Sequence, residues 1–336
     1  MKQMISIIIP NYNGSRTIGI CLDSIFSHED PDREVIVVDD CSDDGSRDLI
    51  RKYPCTLIEL KKRSGASAAR NAGAFSCTGD ILFFIDADCI LKADSLEVVR
   101  KHLAVQSHTR VIGGTYTPMP YDPGFFNAFQ SVFINYFETK NSSGPDYLAT
   151  HAMVIHASVF RKLGGFTENF LPILEDVEFC HRLRKAGYSL MVAPDLQVRH
   201  VFNFSFRKSM RNAIRKTRYW VEYSLLHRDL FADSGTASRE IKINGGVWLA
   251  TLFLMLLAGA SGRLGVLMVL PLLWTANIYL NRHLFRAFHA AGGVEFAFLA
   301  GLYYGVVYPA ALWTGAFRGL VQYLTREARP PEAAKE

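Results

Sequence analysis

Asp86-Ala87-Asp88 is the part of this 336-residue chain best suited to chemistry. Two carboxylates at i and i+2 on a turning chain converge on one hard cation, and such a cation neutralises diphosphate oxygens. A solvated turn would use the same residues, so their setting decides. Ile81–Asp86 (ILFFID) is a buried-strand pattern, which puts both carboxylates at a strand end. Asp39-Asp40 closes a second run of this kind, Glu34–Asp40 (EVIVVDD). Carboxylates there accept hydrogen bonds from a base N–H or ribose hydroxyls, or else cap a turn. Arg70-Asn71 brings a cation near phosphates, or simply a charge on a helix surface. Glu175-Asp176 opens a helix. Acids at that position complement the helix dipole, and in the sharper reading Asp176 is a general base for an acceptor hydroxyl. His200 is either a third metal ligand or a structural histidine.

These residues need a scaffold that gathers strand ends. Ile5–Pro10 reads as a strand, and Ile18, Cys21, Leu22, Ile25 and Phe26 recur at helical spacing. Strand Glu34–Asp40, helix Ser46–Tyr53, strand Cys55–Leu60, helix Ser67–Phe75, strand Ile81–Asp86 and helix Asp94–Gln106 follow. This alternation predicts a mostly parallel α/β sheet with helices on both faces, and ligands outside the carboxyl ends of its strands. Val111–Tyr116, Ala152–His156 and Tyr188–Val192 read as further strands. Phe125–Glu138 and Glu175–Ala186 read as helices, the latter stopped by Gly187.

The two halves differ in charge. Residues 1–200 hold 21 Lys/Arg against 24 Asp/Glu, and residues 201–336 hold 16 against 8. The basic residues of the back half lie beside long apolar runs, which fits an anionic membrane surface rather than nucleic acid. Arg207, Arg211, Arg215 and Arg218 form one stripe of an interfacial amphipathic helix. Gly245–Gly262, Leu264–Asn281 and Phe296–Phe317 each reach the length of a membrane span. Arg282, His283, Arg286 and His289 favour a cytoplasmic loop, as does the tail with Arg318, Arg326 and Arg329, although three spans would put that tail outside. All six cysteines lie in the front half without a CxxC pair and read as reduced core residues rather than zinc ligands. The N-terminus enters a strand too short for a signal sequence, so the front domain is expected in the cytoplasm. The expected organisation is a catalytic domain over 1–203, an interfacial region over 204–243, two to three membrane helices over 244–320 and a tail over 321–336. Oligomeric state is not encoded in any of these patterns. No GxGxxG, GxxxxGK[ST] or nucleophile elbow is present, which argues against a dinucleotide oxidoreductase, a P-loop NTPase and a serine hydrolase.

SIIIPNYNG (Ser6–Gly14), VIVVDDCSDDGS (Val35–Ser46), ARNAGAFSCTGDILFFIDADC (Ala69–Cys89), GGF (Gly164–Phe166) and LEDVEFCHRLRKAGY (Leu174–Tyr188) together resemble the family 2 glycosyltransferases. The resemblance implies a GT-A fold and an inverting single displacement from a nucleotide-sugar. It implies that Pro10, Tyr12, Asp39, Asp40, Arg70 and Asn71 hold the nucleotide. Asp86 and Asp88 would serve the nucleotide-sugar and its Mg²⁺ or Mn²⁺, Asp176 would be the base, and His200 resembles a metal-binding histidine of some members. Arg215-Lys216-Thr217-Arg218-Tyr219 partly resembles the (Q/R)xxRW motif of processive members, with the Trp displaced to Trp220, but the spans are too few for a polymer channel. Two acceptors suit a membrane-bound enzyme of this kind. One is a hydroxyl of a lipid or lipid-linked glycan at the cytoplasmic face of the cell membrane, which needs a base. The other is a polyprenyl phosphate, which does not.

Overall fold

The structure, a computed structural model, describes residues 3–105, 109–168, 172–228, 230, 233 and 235–327. Gln106 and the tail from 328, with Arg329, lie outside the described residues. The chain divides into two compact units, Met1–Asn203 and Phe204–Glu336.

In the first unit the order is β1 (Ile5–Asn11), α1 (Ile18–Phe26), β2 (Arg33–Asp39), α2 (Ser46–Ile50), β3 (Thr56–Glu59), α3 (Ala66–Ser76), β4 (Ile81–Ile85) and β5 (Cys89–Leu91). Then come α4 (Ser95–Val105), β6 (Arg110–Tyr116), α5 (Phe125–Thr139), β7 (Ala152–His156), α6 (Ala157–Lys162), α7 (Glu175–Lys185) and β8 (Ser189–His200). One sheet holds all eight strands in the order β3-β2-β1-β4-β7-β6-β8-β5. β1, β2, β3 and β4 are mutually parallel, as the alternating pattern predicts. β1 and β4 are apolar on both faces because helices cover both: Ile5, Ile7, Ile8 and Ile81–Ile85 are all fully buried. α3 packs directly on β1 and β2. A Cβ on its Gly73 would come within 2.7 Å of the Ile8 side chain and 3.1 Å of Val38, so only glycine lets the helix sit this close.

From β7 onward the sheet is mixed. β7 runs antiparallel to β4, β6 antiparallel to β7, and β8 parallel to β6. Two reversals restore the direction of β4, so β8 also ends at the edge where β4 ends. β8 is longer than the predicted Tyr188–Val192 and runs on to His200. β5 carries no sequence signal at three residues, yet it pairs with the end of β8 in the register Cys89↔His200. Only Asp86–Asp88 separate β4 from β5, a stretch that spans at most about 14 Å. The far edge of the sheet therefore has to curl back to the end of β4.

The second unit is helical: α8 (Phe206–His227), α9 (Arg239–Ser261), a 3-10 segment Leu264–Val269, α10 (Leu270–Leu280), α11 (Arg282–Leu302), a π-turn Tyr303–Val307 and α12 (Tyr308–Glu327). By length and composition, two helical stretches among the described residues suffice to cross a membrane, Arg239–Ser261 and Arg282–Thr325. The second predicted span, Leu264–Asn281, is not one of them. Gly262 in the left-handed region ends α9, and Pro271 starts a new helix of only 11 residues. α9 leaves Phe253 64% and Leu256 73% exposed, an apolar surface that water does not favour.

Inside this unit Asn277 donates to Asn244 at 2.8 Å, Asn244 to the Tyr304 carbonyl at 2.9 Å, and the Tyr304 hydroxyl to Asn281 at 2.8 Å. All four residues are buried, and this closed polar network ties α9, α10 and the π-turn together. On α8 the basic residues Arg207, Arg211 and Arg215 are exposed, while Ser209, Ala213 and Trp220 are buried. Arg218 does not share their surroundings: its Nε donates to Gln322 of α12. α12 lies against α8 at Gly315, where a Cβ would sit 2.6 Å from the Ile214 carbonyl oxygen.

Candidate functional site

The carboxyl ends of β2, β1 and β4 form a row. The register places Asn11 of β1 beside Asp39, and Ile8 beside Phe84, so Ala87 falls at the level of Asn11. Two strand spacings, about 10 Å, therefore separate Asp39 from the Asp86-Ala87-Asp88 turn. That distance suits a molecule with a nucleoside at one end and a diphosphate at the other.

At the β4 end, charges meet charges. Arg70 on α3 is buried, and its guanidinium donates to Asp86 Oδ1 at 2.7 Å and to Glu175 Oε1 at 2.6 Å. Burial opposes the Arg70 charge, but Asp86 and Glu175 outweigh it and raise its pKa further, with Asp176 adding a smaller share. Burial likewise opposes ionisation of Asp86, yet Arg70 and then His151 hold its carboxyl below the usual range. Asp88 goes the other way. Desolvation, then the neighbouring Asp86 charge, push it up to about 7. Its side chain keeps 41% of its surface, so water screens both effects. His200 Nε2 lies 3.3 Å from Asp88 Oδ1. The His200 ring is stacked on Phe202 at 4.0 Å and meets Tyr116 edge-on at 4.8 Å.

Ligand atoms of Asp88, Cys89 and His200 lie within 4.8 Å of one another. The Cys89 thiol is fully buried, and burial, then Asp88 and Asp86, push its pKa well up, so it stays a neutral thiol. Mg²⁺ and Mn²⁺ prefer oxygen and imidazole donors to a thiol. Of this group, Asp88 and His200 are the donors that suit such an ion, while Asp86, two residues earlier on the same turn, has its Oδ1 on Arg70 and is not one of the three whose ligand atoms meet. Two carboxylates crowded enough to raise Asp88 are the electrostatic setting that a cation relieves.

At the β2 end, the carboxylates take their hydrogen bonds from neutral donors, with the Arg47 guanidinium 3.8 Å from Asp39 Oδ2. Asp39 is fully buried and accepts Asn11 Nδ2 at 2.8 Å and the Ser42 N–H at 2.9 Å. Asp40 accepts the Ser64 N–H at 2.6 Å and the Gly65 N–H at 2.8 Å, which fixes the entry to α3. Pro10 sits in β1 opposite Val38. Tyr12 follows β1, 42% exposed, with the Arg63 guanidinium 4.0 Å above its ring. Asn71 turns away from this row. Its amide donates to the Phe166 carbonyl and to Glu168, both at 2.8 Å, and accepts the Phe166 N–H at 2.9 Å. It staples α3 to the Gly164–Phe166 loop.

Asp176 is half-buried in the first turn of α7, its Oδ1 accepting the Val177 N–H at 2.9 Å. An open cavity of about 590 Å³ is lined by Asn13–Thr17, Asp44, Asp122, Val201 and Asn203. It lies beside the Asp86-Ala87-Asp88 turn: a Cβ on Gly14 would be 3.8 Å from the Ala87 Cβ, and the Val201 N–H donates to the Asp88 carbonyl. Sequence reasoning missed two residues behind the site, buried His151 and half-buried Glu138. His151 Nε2 is 3.4 Å from Glu138 Oε2, and its ring stacks on Tyr116 at 4.1 Å. His151 stands one residue before β7 and Glu138 inside α5, and neither belongs to a spaced motif, so no local signal marks them.

Residues 6–163 match the family model described as Glycosyl transferase family 2. Residues 6–163 belong to that family. Among curated proteins, glycosyltransferase AglE of Haloferax volcanii is 29% identical over 240 residues, covering 68% of this chain and 78% of that protein. WfgD of Escherichia coli, named a UDP-Glc:alpha-D-GlcNAc-diphosphoundecaprenol beta-1,3-glucosyltransferase, is 32% identical over 98 residues, 28% of this chain and 39% of that protein. Among solved structures, the mannosyltransferase PcManGT of Pyrobaculum calidifontis, in complex with GDP-Man and Mn²⁺, superposes with TM-score 0.58 at 20% identity, covering 96% of this chain and 88% of that one. At that identity the likeness establishes the fold, which is GT-A. The family 2 domain thus contains the whole β2–β1–β4 row, while Glu175, Asp176 and His200 lie beyond the matched residues.

Proposed function

We propose that this glycosyltransferase moves a sugar from a nucleotide-sugar to a hydroxyl of a lipid or lipid-linked glycan at the cytoplasmic face of the cell membrane. The observation that carries the reading is the charged cluster at the end of β4, where Arg70 joins Asp86 to Glu175 and His200 faces Asp88. Asp39 and Asp40, with Pro10 and Tyr12, face the nucleoside across the row of strand ends. Asp86, Asp88 and His200 are the residues that would hold Mg²⁺ or Mn²⁺. When bound, that ion supplies positive charge to the diphosphate leaving group. Arg70 positions Asp86 and Glu175 rather than offering a free cation to phosphate. Asp176, at the start of α7, takes the proton from the acceptor hydroxyl as its oxygen attacks the sugar on the face opposite the diphosphate. Inversion follows from that single displacement.

The acceptor assignment rests on the apolar helices of the second unit, the exposed basic face of α8, and the lipid diphosphate in WfgD's name. The multi-pass arrangement and cytoplasmic orientation rest on the basic residues around Arg282. A product-release assay against UDP-, GDP- and dTDP-sugars, with membrane lipid extract as acceptor, tests the reaction. In it, Asp176→Asn should lower turnover by roughly 10²- to 10⁴-fold while leaving donor affinity nearly intact. Normal turnover by that variant would remove the base and favour a polyprenyl phosphate, an acceptor that is already an anion.

A further inference from the structure

Asp122 lies in the loop between β6 and α5. Its Oδ1 accepts the Phe202 N–H at 2.9 Å and its Oδ2 accepts the Asn203 N–H at 2.6 Å. The neighbouring Tyr121 N–H donates to the His200 carbonyl at 3.0 Å, and the Val201 N–H donates to the Asp88 carbonyl at 2.9 Å. Four consecutive residues, 200 to 203, are thereby held between one loop and the metal-binding turn. The hold is tight enough to keep Asn203, which is not a glycine, in the left-handed region at φ 48. Phe202, whose N–H is fixed by Asp122, is the residue on which the His200 ring stacks. Both Asp122 contacts are hydrogen bonds to an ionised carboxylate, the stronger class, and both aim the chain rather than touch a ligand.

We propose that Asp122 is a positioning residue for the metal site: by clasping the Phe202 and Asn203 backbone it sets the His200 imidazole against Asp88. This rests on the reading of Asp86, Asp88 and His200 as metal ligands. Partners one step behind a ligand tune metal affinity by roughly 10- to 100-fold. A loop cap with no such role would lower stability and leave metal affinity alone.

The test is Mn²⁺ titration of the full-length chain in detergent, with and without added UDP or GDP, following the electron paramagnetic resonance signal of free aqueous Mn²⁺. Thermal unfolding of each variant is recorded alongside. Asp122→Ala should weaken Mn²⁺ binding by roughly 10-fold or more, and its turnover should recover at high Mn²⁺. Asp122→Asn keeps one oxygen to accept one N–H and should fall between Ala and wild type; it decides the matter if the Ala variant does not fold. Wild-type affinity in both folded variants overturns the proposal while leaving the metal reading intact. A wild-type chain that binds no Mn²⁺ under any of these conditions overturns the metal reading itself, and this one with it.

Discussion

Two acidic pairs stand at strand ends on either side of β1, and they are held in opposite ways. Asp39-Asp40 ends β2 and accepts its hydrogen bonds from neutral donors, the Asn11 amide and the N–H groups of Ser42, Ser64 and Gly65, while the half-exposed Arg47 guanidinium stands off at 3.8 Å from Asp39. Asp86 and Asp88 follow β4 and face charges or titratable groups: Arg70, His200 and each other. Neutral donors satisfy a buried carboxylate without adding net charge, which makes a rigid loop. Crowded carboxylates balanced by one guanidinium leave a field that favours a further cation. Residue type and topological position are the same in both pairs. The partners set the role.

The comparison is broken most forcefully at Asp88. Asp88→Ala should abolish transfer, a loss of several kcal/mol in transition-state stabilisation or roughly 10³-fold and more. Mn²⁺-dependent donor binding should disappear with it. Full wild-type activity in excess EDTA would end the metal role for both carboxylates.

Arg70→Met attacks the balance instead of the ligand. It leaves Asp86 and Glu175 facing each other without their shared cation, and removing one partner of a buried ionic pair costs about 3–5 kcal/mol. Asp86 keeps 30% of its side-chain surface, which places the expected loss at the lower end. Denaturant midpoints would register it, and transfer should fall as well because Asp86 is no longer aimed. An unchanged midpoint would mean that the β4 end is no more strained than the β2 end.

The parallel half of the fold was legible because a strand buried on both faces is an unbroken apolar run, and each such run here stops at polar residues. Ile81–Ile85 followed by Asp86 is the clearest case. β5 was not legible, since Cys89-Ile90-Leu91 is too short to show a period. Nor was the reach of β8, where Pro194 and Asp195 interrupt the apolar residues of Ser189–His200. Of the site, the carboxylates were readable from their place at strand ends, but their partners were not. Arg70 meets Glu175 across 105 residues, and Asn71 meets Phe166 across 95. Such pairings are set by how α3 seats on β1 and β2, through Gly73, and no local pattern carries them. Arg218 teaches the same lesson: a basic stripe on α8 predicts exposure, and one of its four members is taken by Gln322.

A smaller change sharpens the contrast from the other side. Asp40→Ala removes the acceptor of the Ser64 and Gly65 N–H groups; Ser64 is half-buried and Gly65 exposed, so water can replace it and the loss is that of a net hydrogen bond, about 1 kcal/mol. Thermal stability should drop accordingly, while Mn²⁺ affinity stays at the wild-type value. A rise in donor KM beside the stability loss would agree with Asp40 facing the nucleoside as well, and an unchanged KM would leave it a cap of the loop alone.

The smallest effect comes from a third carboxylate, at the opposite end of β2. Glu34 accepts the N–H groups of Gly79 at 2.7 Å and Thr78 at 2.8 Å, and the Ser6 hydroxyl. Burial opposes its charge, but these three neutral donors outweigh burial and hold its pKa below the usual value. A carboxyl depressed in the folded chain binds its proton more weakly there than in the unfolded chain. The stability it contributes is therefore fully present above the unfolded value, about 4.3, and is lost as pH falls through the folded one. Glu34→Gln should flatten stability against pH only below about pH 5, with metal response and transfer untouched. Glu34 is half-buried, so the flattening is shallow. If Glu34→Gln altered Mn²⁺ affinity, neutral donors could not be what separates a structural carboxylate from a working one, and the contrast between β2 and β4 would lose its physical basis.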